Sequence, residues 1–439
     1  MSGYLISTDE QQRQMLEKVG AKDFKDLYAD VPQELLLARE DLKLPDGLGE
    51  LGAMQEMERM AGENRVYRGI FRGAGAYDHY IPAIVKRVTS KEQFLTSYTP
   101  YQAEVSQGVL QSIFEYQSQI CALTGMDYSN ASVYDGASAA AEAAAMCRDR
   151  KRSVTLISAG VNPQVVETVK TYCHGAGTPC IIVPTKDGRT DLDALEEALG
   201  GGGVAGVCFQ QPNYFGILED AQAIIDLAHK AKAKVIMNVN PISLGILRTP
   251  GELDADIAVG EGQPLGLPLG FGGPYLGFMT ATKKMMRHLP GRMVGETVDN
   301  KGQRCFVLTL QAREQHIRRE KASSNVCSNE ALCAMSAAVY LAAMGPQGMR
   351  DVAKQCYDKA HYLAGELAAA GYPLLYDAPF FHEFVTKTPL PAENALKALD
   401  EKGILGGLPV PGGILWCCTE KNTKAQMDEV VKTLREVRA

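Results

Sequence analysis

Excess positive charge and long apolar runs are absent from this sequence of 439 residues. Its 45 Lys and Arg residues are outnumbered by 52 Asp and Glu residues, which gives a net charge of -7 and leaves no lysine- or arginine-rich face. Binding to nucleic acid is therefore not expected, since it requires a basic surface. Because no apolar run has the length of a membrane span, we expect no membrane partner either.

Paired cysteines and a targeting segment are also absent. The eleven cysteines are scattered, with no CxxC pair and no spacing that would place cysteine and histidine around zinc, so no metal site is expected. The first thirty residues alternate acidic and basic groups and resemble neither a signal peptide nor an arginine-rich transit peptide. These features favour a cytoplasmic protein whose thiols are free.

The pattern along the chain predicts an arm and two domains. Residues 1–69 have helical spacing up to Pro32 and again near residues 48–64, which predicts an N-terminal helical arm. Residues 70–328 alternate short apolar runs with helical stretches, which favours a large α/β domain with a mostly parallel sheet. Residues 329–439 hold two long helical patterns that each end in glycine, then short strands and a last helix. This is the outline of a small α+β domain.

The strand predictions rest on short apolar runs. Those in the large domain are SVTLISAG, CIIVP, VAGVCFQQPN, AKVIMNVN, ADIAVG, YLGFMTAT and CFVLTL. The segments EVSQGVLQSIFEYQSQICALTG and LEDAQAIIDLAHKAKA are predicted to be amphipathic helices between them.

The segment YDGASAAAEAAAMC places Gly136, Ala137 and Ser138 at the start of an alanine-rich helix. Backbone N–H groups at such a helix terminus, with the Ser138 hydroxyl, can hold a phosphate group. An ordinary capped helix explains the same residues, since Ser and Gly commonly start helices. Both interpretations stay open at this point.

The glycine-rich run GEGQPLGLPLGFGGPYLG is typical of the segment beside the cofactor lysine of a pyridoxal phosphate enzyme, yet no lysine occurs between Gly251 and Thr282. Such an enzyme needs a lysine amine for its resting Schiff base. Lys283 and Lys284 follow the run and are expected to face solvent. Asn238 ends a predicted strand where a carboxylate would face the pyridinium nitrogen of the cofactor, and an amide cannot supply that charge.

Two further segments are rich in functional side chains. SYTPYQAE contains two tyrosines and a threonine just before a predicted helix, and these supply hydroxyl donors and ring surfaces for a pocket. IRREKASSNVCSNE contains arginines that could bind a carboxylate or phosphate. An exposed connector with salt bridges is the alternative interpretation of the second segment.

These segments together resemble the P-protein of the glycine cleavage system, specifically its amino-terminal half, which in many prokaryotes is a separate alpha subunit. The resemblance rests on FLTSYTPYQAEVSQGVLQSIFEYQSQICALTGMD, NASVYDGASAAAEA, PNYFGILED and QHIRREKASSNVCSNEAL, and it covers nearly the full chain. It implies the pyridoxal phosphate-dependent transferase fold type I, similar to aspartate aminotransferase. That fold has a large domain with a mostly parallel seven-stranded sheet and a small C-terminal α+β domain.

The resemblance also implies a reaction and partners. The family decarboxylates glycine, releases CO2 and transfers the aminomethyl group to the lipoyl arm of H-protein. It implies that pyridoxal phosphate is bound by a partner beta subunit in an α2β2 assembly, with Gln263 of this chain at about the position of that subunit's Schiff-base lysine. Gly136 and Ser138 would then belong to a vestigial phosphate cup.

The same resemblance assigns roles to seven residues. Those expected to line the pocket for glycine or the lipoyl arm are Tyr98, Thr99 and Tyr101. Those expected to order a loop near the subunit boundary are Arg318, Arg319, Lys321 and Asn325. Two alternatives remain: a structural or regulatory partner of the beta subunit with no catalytic residue, and an independent pyridoxal phosphate enzyme that uses Lys283 or Lys284.

Overall fold

The computed structural model describes residues 7–37 and 42–438, and it divides the chain into two compact units, Met1–Val66 and Tyr67–Ala439. The first unit contains helices α1 (Asp9–Lys18) and α2 (Glu50–Gly62). Parts of the predicted arm, residues 1–6 and 38–41, lie outside the described residues.

The predicted helical pattern up to Pro32 is interrupted. Helix α1 begins at a capping box in which Thr8 and Gln11 exchange hydrogen bonds, and it ends at Lys18. Gly20 then adopts a φ of 76°, a left-handed conformation that stops a helix. A separate 3-10 turn at Phe24–Tyr28 follows, because the Asp23 side chain accepts hydrogen bonds from the backbone N–H groups of Lys25 and Asp26.

The second unit holds the remaining elements. Its helices are α3 (Ala83–Thr89), α4 (Glu92–Leu95), α5 (Gln107–Thr124), α6 (Gly136–Cys147), α7 (Pro163–Gly175), α8 (Leu192–Gly200), α9 (Ala221–Lys230), α10 (Gln315–Arg318), α11 (Ala331–Ala369), α12 (Ala392–Glu401) and α13 (Lys424–Arg438). Its strands are β1 (Gly69–Ile70), β2 (Tyr128–Ser129), β3 (Val154–Ser158), β4 (Cys180–Val183), β5 (Thr185–Lys186), β6 (Arg189–Thr190), β7 (Val204–Gln211), β8 (Lys234–Val239), β9 (Ile257–Glu261), β10 (Gly277–Ala281), β11 (Met293–Val298), β12 (Arg304–Thr309), β13 (Glu383–Thr386), β14 (Ile404–Leu405), β15 (Leu408–Val410) and β16 (Gly413–Cys417).

A seven-stranded sheet in the order β2-β10-β9-β8-β7-β3-β4 forms the centre of this unit. Only β10 is antiparallel to its neighbours, so the prediction of a mostly parallel seven-stranded sheet is confirmed. The central strands β7 and β8 are buried along almost their whole length, as expected for a sheet covered by helices on both faces. The carboxyl ends of the parallel strands therefore meet at one edge.

One predicted strand lies elsewhere. The run CFVLTL forms β12, but it pairs with β11 in a separate antiparallel ribbon rather than in the main sheet. The turn of the ribbon is closed by Asp299, whose carboxylate accepts hydrogen bonds from the backbone N–H groups of Lys301 and Gln303.

The C-terminal region has its own three-stranded sheet, β13-β16-β15, packed on helices α12 and α13 around Trp416. The two predicted long helices are confirmed as the two arms of α11, which meet at a kink where Gly345 has a φ of 62° and Pro346 follows. The first arm packs in the core of the large sheet, as does the second arm up to Cys356, and from Ala360 onward the second arm packs in the C-terminal core. The division at residue 328 stays a prediction. None of the described helices combines the length and apolar character that crossing a membrane requires.

Candidate functional site

A cavity of about 620 Å³ opens at the carboxyl ends of β7, β8 and β9. Its walls come from those strand ends, from the first residues of α6 and α7, and from the segment Gly73 to Tyr77. Open α/β sheets bind their ligands in this crevice, where parallel strands end and helices begin. The cavity is therefore the candidate site of this fold.

Carboxylates occupy the N-terminus of α6. The backbone N–H of Gly136 donates to Glu261 Oε2 at 2.9 Å, and the N–H of Ser138 donates to Asp135 Oδ1 at 2.7 Å. A Cβ atom at position 136 would lie 2.7 Å from the backbone nitrogen of Glu261, so glycine is required for this close approach. The N–H groups of Gly136 and Ser138 therefore donate to carboxylates of the protein, as in an ordinary capped helix.

Glu261 sits at the cavity wall and is partly buried. Burial raises the pKa of its carboxyl to about 7, although three backbone N–H groups favour the charged form. Those donors belong to Gly136, Gln263 and Leu276, each at 2.9 Å. A phosphate placed at this helix end would compete with Glu261 for the Gly136 N–H and would meet negative charge.

Gln263, at the expected lysine position, is fully buried, and both polar atoms of its side-chain amide form hydrogen bonds. Its Oε1 accepts from the backbone N–H of Tyr77 at 2.8 Å. Its Nε2 donates to the backbone carbonyls of Tyr77 and Leu267 at 2.9 and 2.8 Å. A lysine ammonium has no acceptor, so it could not satisfy the Tyr77 N–H in this position.

Asn238 lies at the end of β8, as predicted. Its Nδ2 donates to Gln210 Oε1 at 3.3 Å, and that oxygen also accepts from the backbone N–H of Asn162 at 3.0 Å. The side chain is almost fully buried and uncharged. It therefore offers no counter-charge to a protonated ring nitrogen.

Pyridoxal phosphate does not fit the residues of this cavity. Among the described residues that line it there is no Lys, Arg or His, while Asp135, Glu261 and Glu330 bring three carboxyl groups. The aldehyde would find no amine, the phosphate would meet carboxylates, and the pyridinium nitrogen would meet an amide. No step of cofactor chemistry is therefore assigned to this chain.

Lys283 and Lys284 are exposed and lie far from this cavity. They border a surface pocket with Lys234 and Asp256, at the amino ends of β8 and β9. A strand of six residues spans about 20 Å, so these lysines lie at the opposite edge of the sheet. Their expected exposure is confirmed by the structure.

Tyr98, Thr99 and Tyr101 lie outside the central cavity. Tyr98 is 88% exposed, and together with Thr99 it borders a second cavity of about 210 Å³ that also includes Ser328 and Asn329. The structure thus brings the SYTPYQ segment next to the end of the SSNVCSN loop.

Buried Arg292 connects these two segments. Its Nη2 donates to the Tyr101 hydroxyl at 2.8 Å, its Nη1 to Asn329 Oδ1 at 3.5 Å, and its guanidinium carbon lies 5.1 Å from the centre of the Tyr101 ring. Sequence reasoning missed Arg292, because the run GRMV gives no sign that its arginine is buried beside a tyrosine.

The four predicted loop residues are all exposed: Arg318, Arg319, Lys321 and Asn325. Arg319 has a φ of 56° and borders a small surface cavity with His316 and Cys327. The exposed-connector interpretation is right about solvent exposure. However, Arg318, Arg319 and Lys321 form no ion pair with any residue that the structure describes.

Comparisons with known proteins place the chain among close relatives. A family model described as "Glycine cleavage system P-protein" matches residues 2–434. The chain is 50% identical to the probable glycine dehydrogenase (decarboxylating) subunit 1 of Moorella thermoacetica, over 99% of this chain and 100% of that protein. It is 49% identical to the protein of the same name from Desulforamulus reducens, with 97% of each chain covered.

Solved structures agree with this. The crystal structure of glycine decarboxylase (P-protein) of the glycine cleavage system, in inhibitor-bound form, matches with a TM-score of 0.92, 42% identity and full coverage of both chains. Alanine–glyoxylate aminotransferase from Nostoc sp. matches with a TM-score of 0.61 at 15% identity, over 92% of this chain and 100% of that one, which concerns the fold alone. The expected pyridoxal phosphate-dependent transferase fold type I is confirmed.

The raised pKa of Glu261 predicts a pH dependence of stability. The folded chain holds this proton up to about pH 7, whereas a carboxyl in the unfolded chain loses it near 4.5, so the free energy of unfolding falls as pH rises through that window. From roughly pH 5 to pH 8, we expect the free energy of unfolding of the unsubstituted chain to fall by about 1 to 3 kcal/mol more than that of Glu261→Gln. Urea unfolding followed by circular dichroism measures this difference.

The control for this measurement is Glu167→Gln, on an exposed face of α7. It should leave the pH slope of the unsubstituted chain unchanged. Parallel slopes for the unsubstituted chain and Glu261→Gln would show that Glu261 does not carry a raised pKa.

Proposed function

The chain belongs to the glycine cleavage system P-protein family, and we propose that it is the subunit without a cofactor of its own, acting with a homologous beta subunit that binds pyridoxal phosphate. The observation that carries this proposal is the buried amide of Gln263, hydrogen-bonded to the backbone of Tyr77 where the Schiff-base lysine would stand. The carboxylates at the start of α6 support it, because they take the N–H groups that a phosphate would need.

The proposed reaction is that of the two-subunit enzyme as a whole. Glycine loses its carboxylate as CO2, and its aminomethyl group passes to the lipoyl disulfide of H-protein. The cofactor of the beta subunit supplies the electron sink for this chemistry, while protein groups supply orientation and exclude water. We propose an α2β2 assembly, since enzymes of this fold commonly build active sites at subunit boundaries. We also propose that this assembly acts in the cytoplasm.

Exposed apolar side chains support a partner surface on this chain. Within one short segment, Leu95, Tyr98 and Val105 are all more than half exposed, and Phe271 of the glycine-rich run is 99% exposed. Large exposed apolar groups of this kind are typical of surfaces that another protein covers. We propose that the beta subunit covers the SYTPYQ segment.

The proposal gives the predicted residues distinct roles at that boundary. Tyr98 has a free hydroxyl and ring that can enter the pocket of the beta subunit. Tyr101 is held in place by Arg292, so its position is fixed before assembly. The exposed Arg318, Arg319, Lys321 and Asn325 are available to order the loop against the partner.

The first test is assembly with the beta subunit, followed by borohydride reduction and peptide mapping. We expect the two chains to elute as one complex of two copies each, because obligate interfaces bury roughly 2,000 Å² or more. The pyridoxyl label is expected on a lysine of the beta subunit and on no peptide of this chain. A label on Lys283 or Lys284 would instead support an independent pyridoxal phosphate enzyme, and separate elution of the chains would rule out the stable assembly.

The second test replaces Tyr98 or Tyr101 by phenylalanine. Each change keeps the ring and removes the hydroxyl, and Tyr101→Phe also removes the acceptor of Arg292 Nη2, so assembly and normal cofactor content are confirmed before activity is measured. If the hydroxyls bind a group that gains charge during the reaction, activity should fall by about 10² to 10³-fold, equivalent to about 2 to 4 kcal/mol. The assay is exchange of the glycine carboxyl group with bicarbonate in the presence of lipoylated H-protein.

The matched control is Tyr357→Phe in the kinked helix α11, where the Tyr357 ring packs against His361. This variant should exchange at the unsubstituted rate. Full activity in both Tyr98→Phe and Tyr101→Phe would remove the catalytic role and favour the alternative of a purely structural partner.

A further inference from the structure

Three segments that are far apart in sequence bring metal-binding side chains together. His79 follows the cavity segment that contains Tyr77, Cys356 lies in the second arm of α11, and Glu420 follows strand β16. Glu420 is 341 positions from His79 and 64 positions from Cys356. No motif spacing could therefore have revealed the group, and the expectation of no metal site rested on short-range spacing alone.

The three donor atoms are close together and shielded from solvent. His79 Nδ1 lies 2.7 Å from Glu420 Oε2, and Cys356 Sγ lies 3.5 Å from the same oxygen. One donor atom from each residue lies within 4.8 Å of the others. The side chains of His79 and Glu420 are 2% and 10% exposed, and Cys356 is fully buried.

Polar atoms around this group lack partners. Among the described residues, His79 Nε2, the Tyr340 hydroxyl and His382 Nδ1 are buried and have no hydrogen-bond partner. Burial raises the pKa of the Tyr340 phenol, and the charges of Glu420 and Cys356 raise it further. Buried polar atoms without a partner are rare in proteins and indicate a water molecule or an ion that is not accounted for.

We propose that His79, Cys356 and Glu420 form a binding site for a divalent transition-metal ion of the zinc class. Imidazole nitrogen, thiolate sulfur and carboxylate oxygen are the three donor types that zinc takes in proteins. On binding, the Cys356 thiol releases its proton to solvent and its sulfur forms a bond to the metal, with no change of oxidation state. One thiolate and one carboxylate then neutralise the dication, which suits a buried position.

The distances permit tetrahedral coordination with small movements. Metal bonds of about 2.0 to 2.3 Å place the donor atoms of a tetrahedral zinc site about 3.3 to 3.6 Å apart. The 2.7 Å between His79 Nδ1 and Glu420 Oε2 is shorter than this range and the 3.5 Å between Cys356 Sγ and Glu420 Oε2 lies within it, so movements on the order of 1 Å would create the site. A water molecule in the fourth position would complete the coordination.

The site would serve the structure of the central cavity. His79 lies two residues from Tyr77, whose backbone is held by Gln263. An ion bound to His79, Cys356 and Glu420 would fix the same segment to helix α11 and to the C-terminal region. This role is independent of the proposed function, since it needs neither the beta subunit nor glycine.

The test is metal content after loading. Full-length chain without an affinity tag is incubated with Zn²⁺ or Co²⁺ and desalted, and bound metal is measured by mass spectrometry. We expect about one ion per chain and, for Co²⁺, a thiolate-to-cobalt charge-transfer absorption band that a strong chelator removes. A chain that retains no metal, or a cobalt spectrum without the thiolate band, would mean that these side chains form only a hydrogen-bonded cluster and would overturn the proposal.

Variants identify the ligand. Cys356→Ser should lower metal retention by about tenfold or more and abolish the cobalt band. Cys418→Ser is the matched control, since Cys418 is an equally buried free thiol two positions from Glu420. It should retain both signals. If Cys356→Ser does not fold, Glu420→Gln provides the same comparison, because it should also lower the amount of metal that the chain retains. Unchanged metal content in either folded variant would contradict the assignment.

Discussion

The side-chain amide of Gln263 donates one hydrogen bond to the backbone carbonyl of Tyr77 and accepts another from its N–H. This pair fixes the segment from Gly73 to Tyr77 as one wall of the central cavity. The Tyr77 hydroxyl donates to Glu383 Oε2 at 2.8 Å, and the N–H of Ala74 donates to Glu383 Oε1 at 2.6 Å, so the same segment is bound to the C-terminal sheet. Burial raises the pKa of Glu383 to about 7. The network connects the glycine-rich run to the C-terminal region through a single segment.

The fold has the crevice in which open α/β sheets bind their ligands, but the side chains in that crevice do not suit pyridoxal phosphate. Parallel strands still end at one edge beside the N-termini of α6 and α7, and the cavity is large enough for a small molecule. However, Asp135 and Glu261 take the backbone N–H groups of α6, and Asn238 is an amide. Three separate positions therefore depart from what the cofactor needs, so we expect that a single substitution would not create its site.

The sequence was sufficient for those features that depend on local patterns. Continuous apolar runs predict the strands of the central sheet, because strands buried on both faces need apolar side chains throughout. The glycines at 345 and 371 mark where helical patterns end. The absence of lysine around Gln263 is visible in the sequence, and the prediction that this chain forms no Schiff base rests on it. The break after α1 was missed because apolar spacing continued past Gly20, whose left-handed backbone stops the helix.

Features that depend on distant contacts were not predictable. Glu261 belongs to a glycine-rich run, and nothing local shows that its carboxylate reaches Gly136. Arg292 is buried beside Tyr101 across 191 positions, and the group of His79, Cys356 and Glu420 spans most of the second unit. The ribbon of β11 and β12 looks like part of the main sheet in sequence, because apolar runs do not specify their pairing partner.

We propose that this chain does not bind pyridoxal phosphate itself. The most direct measurement is a spectrophotometric titration of the isolated full-length chain with the cofactor, performed alongside Gln263→Lys and Gln164→Lys. The second variant adds a lysine at the rim of the same cavity and controls for non-specific imine formation. We expect no stoichiometric Schiff-base absorbance in the unsubstituted chain and no more in Gln263→Lys than in Gln164→Lys, because the carboxyl groups of Asp135 and Glu261 still occupy the phosphate position. Stoichiometric saturable binding by the unsubstituted chain would contradict the account.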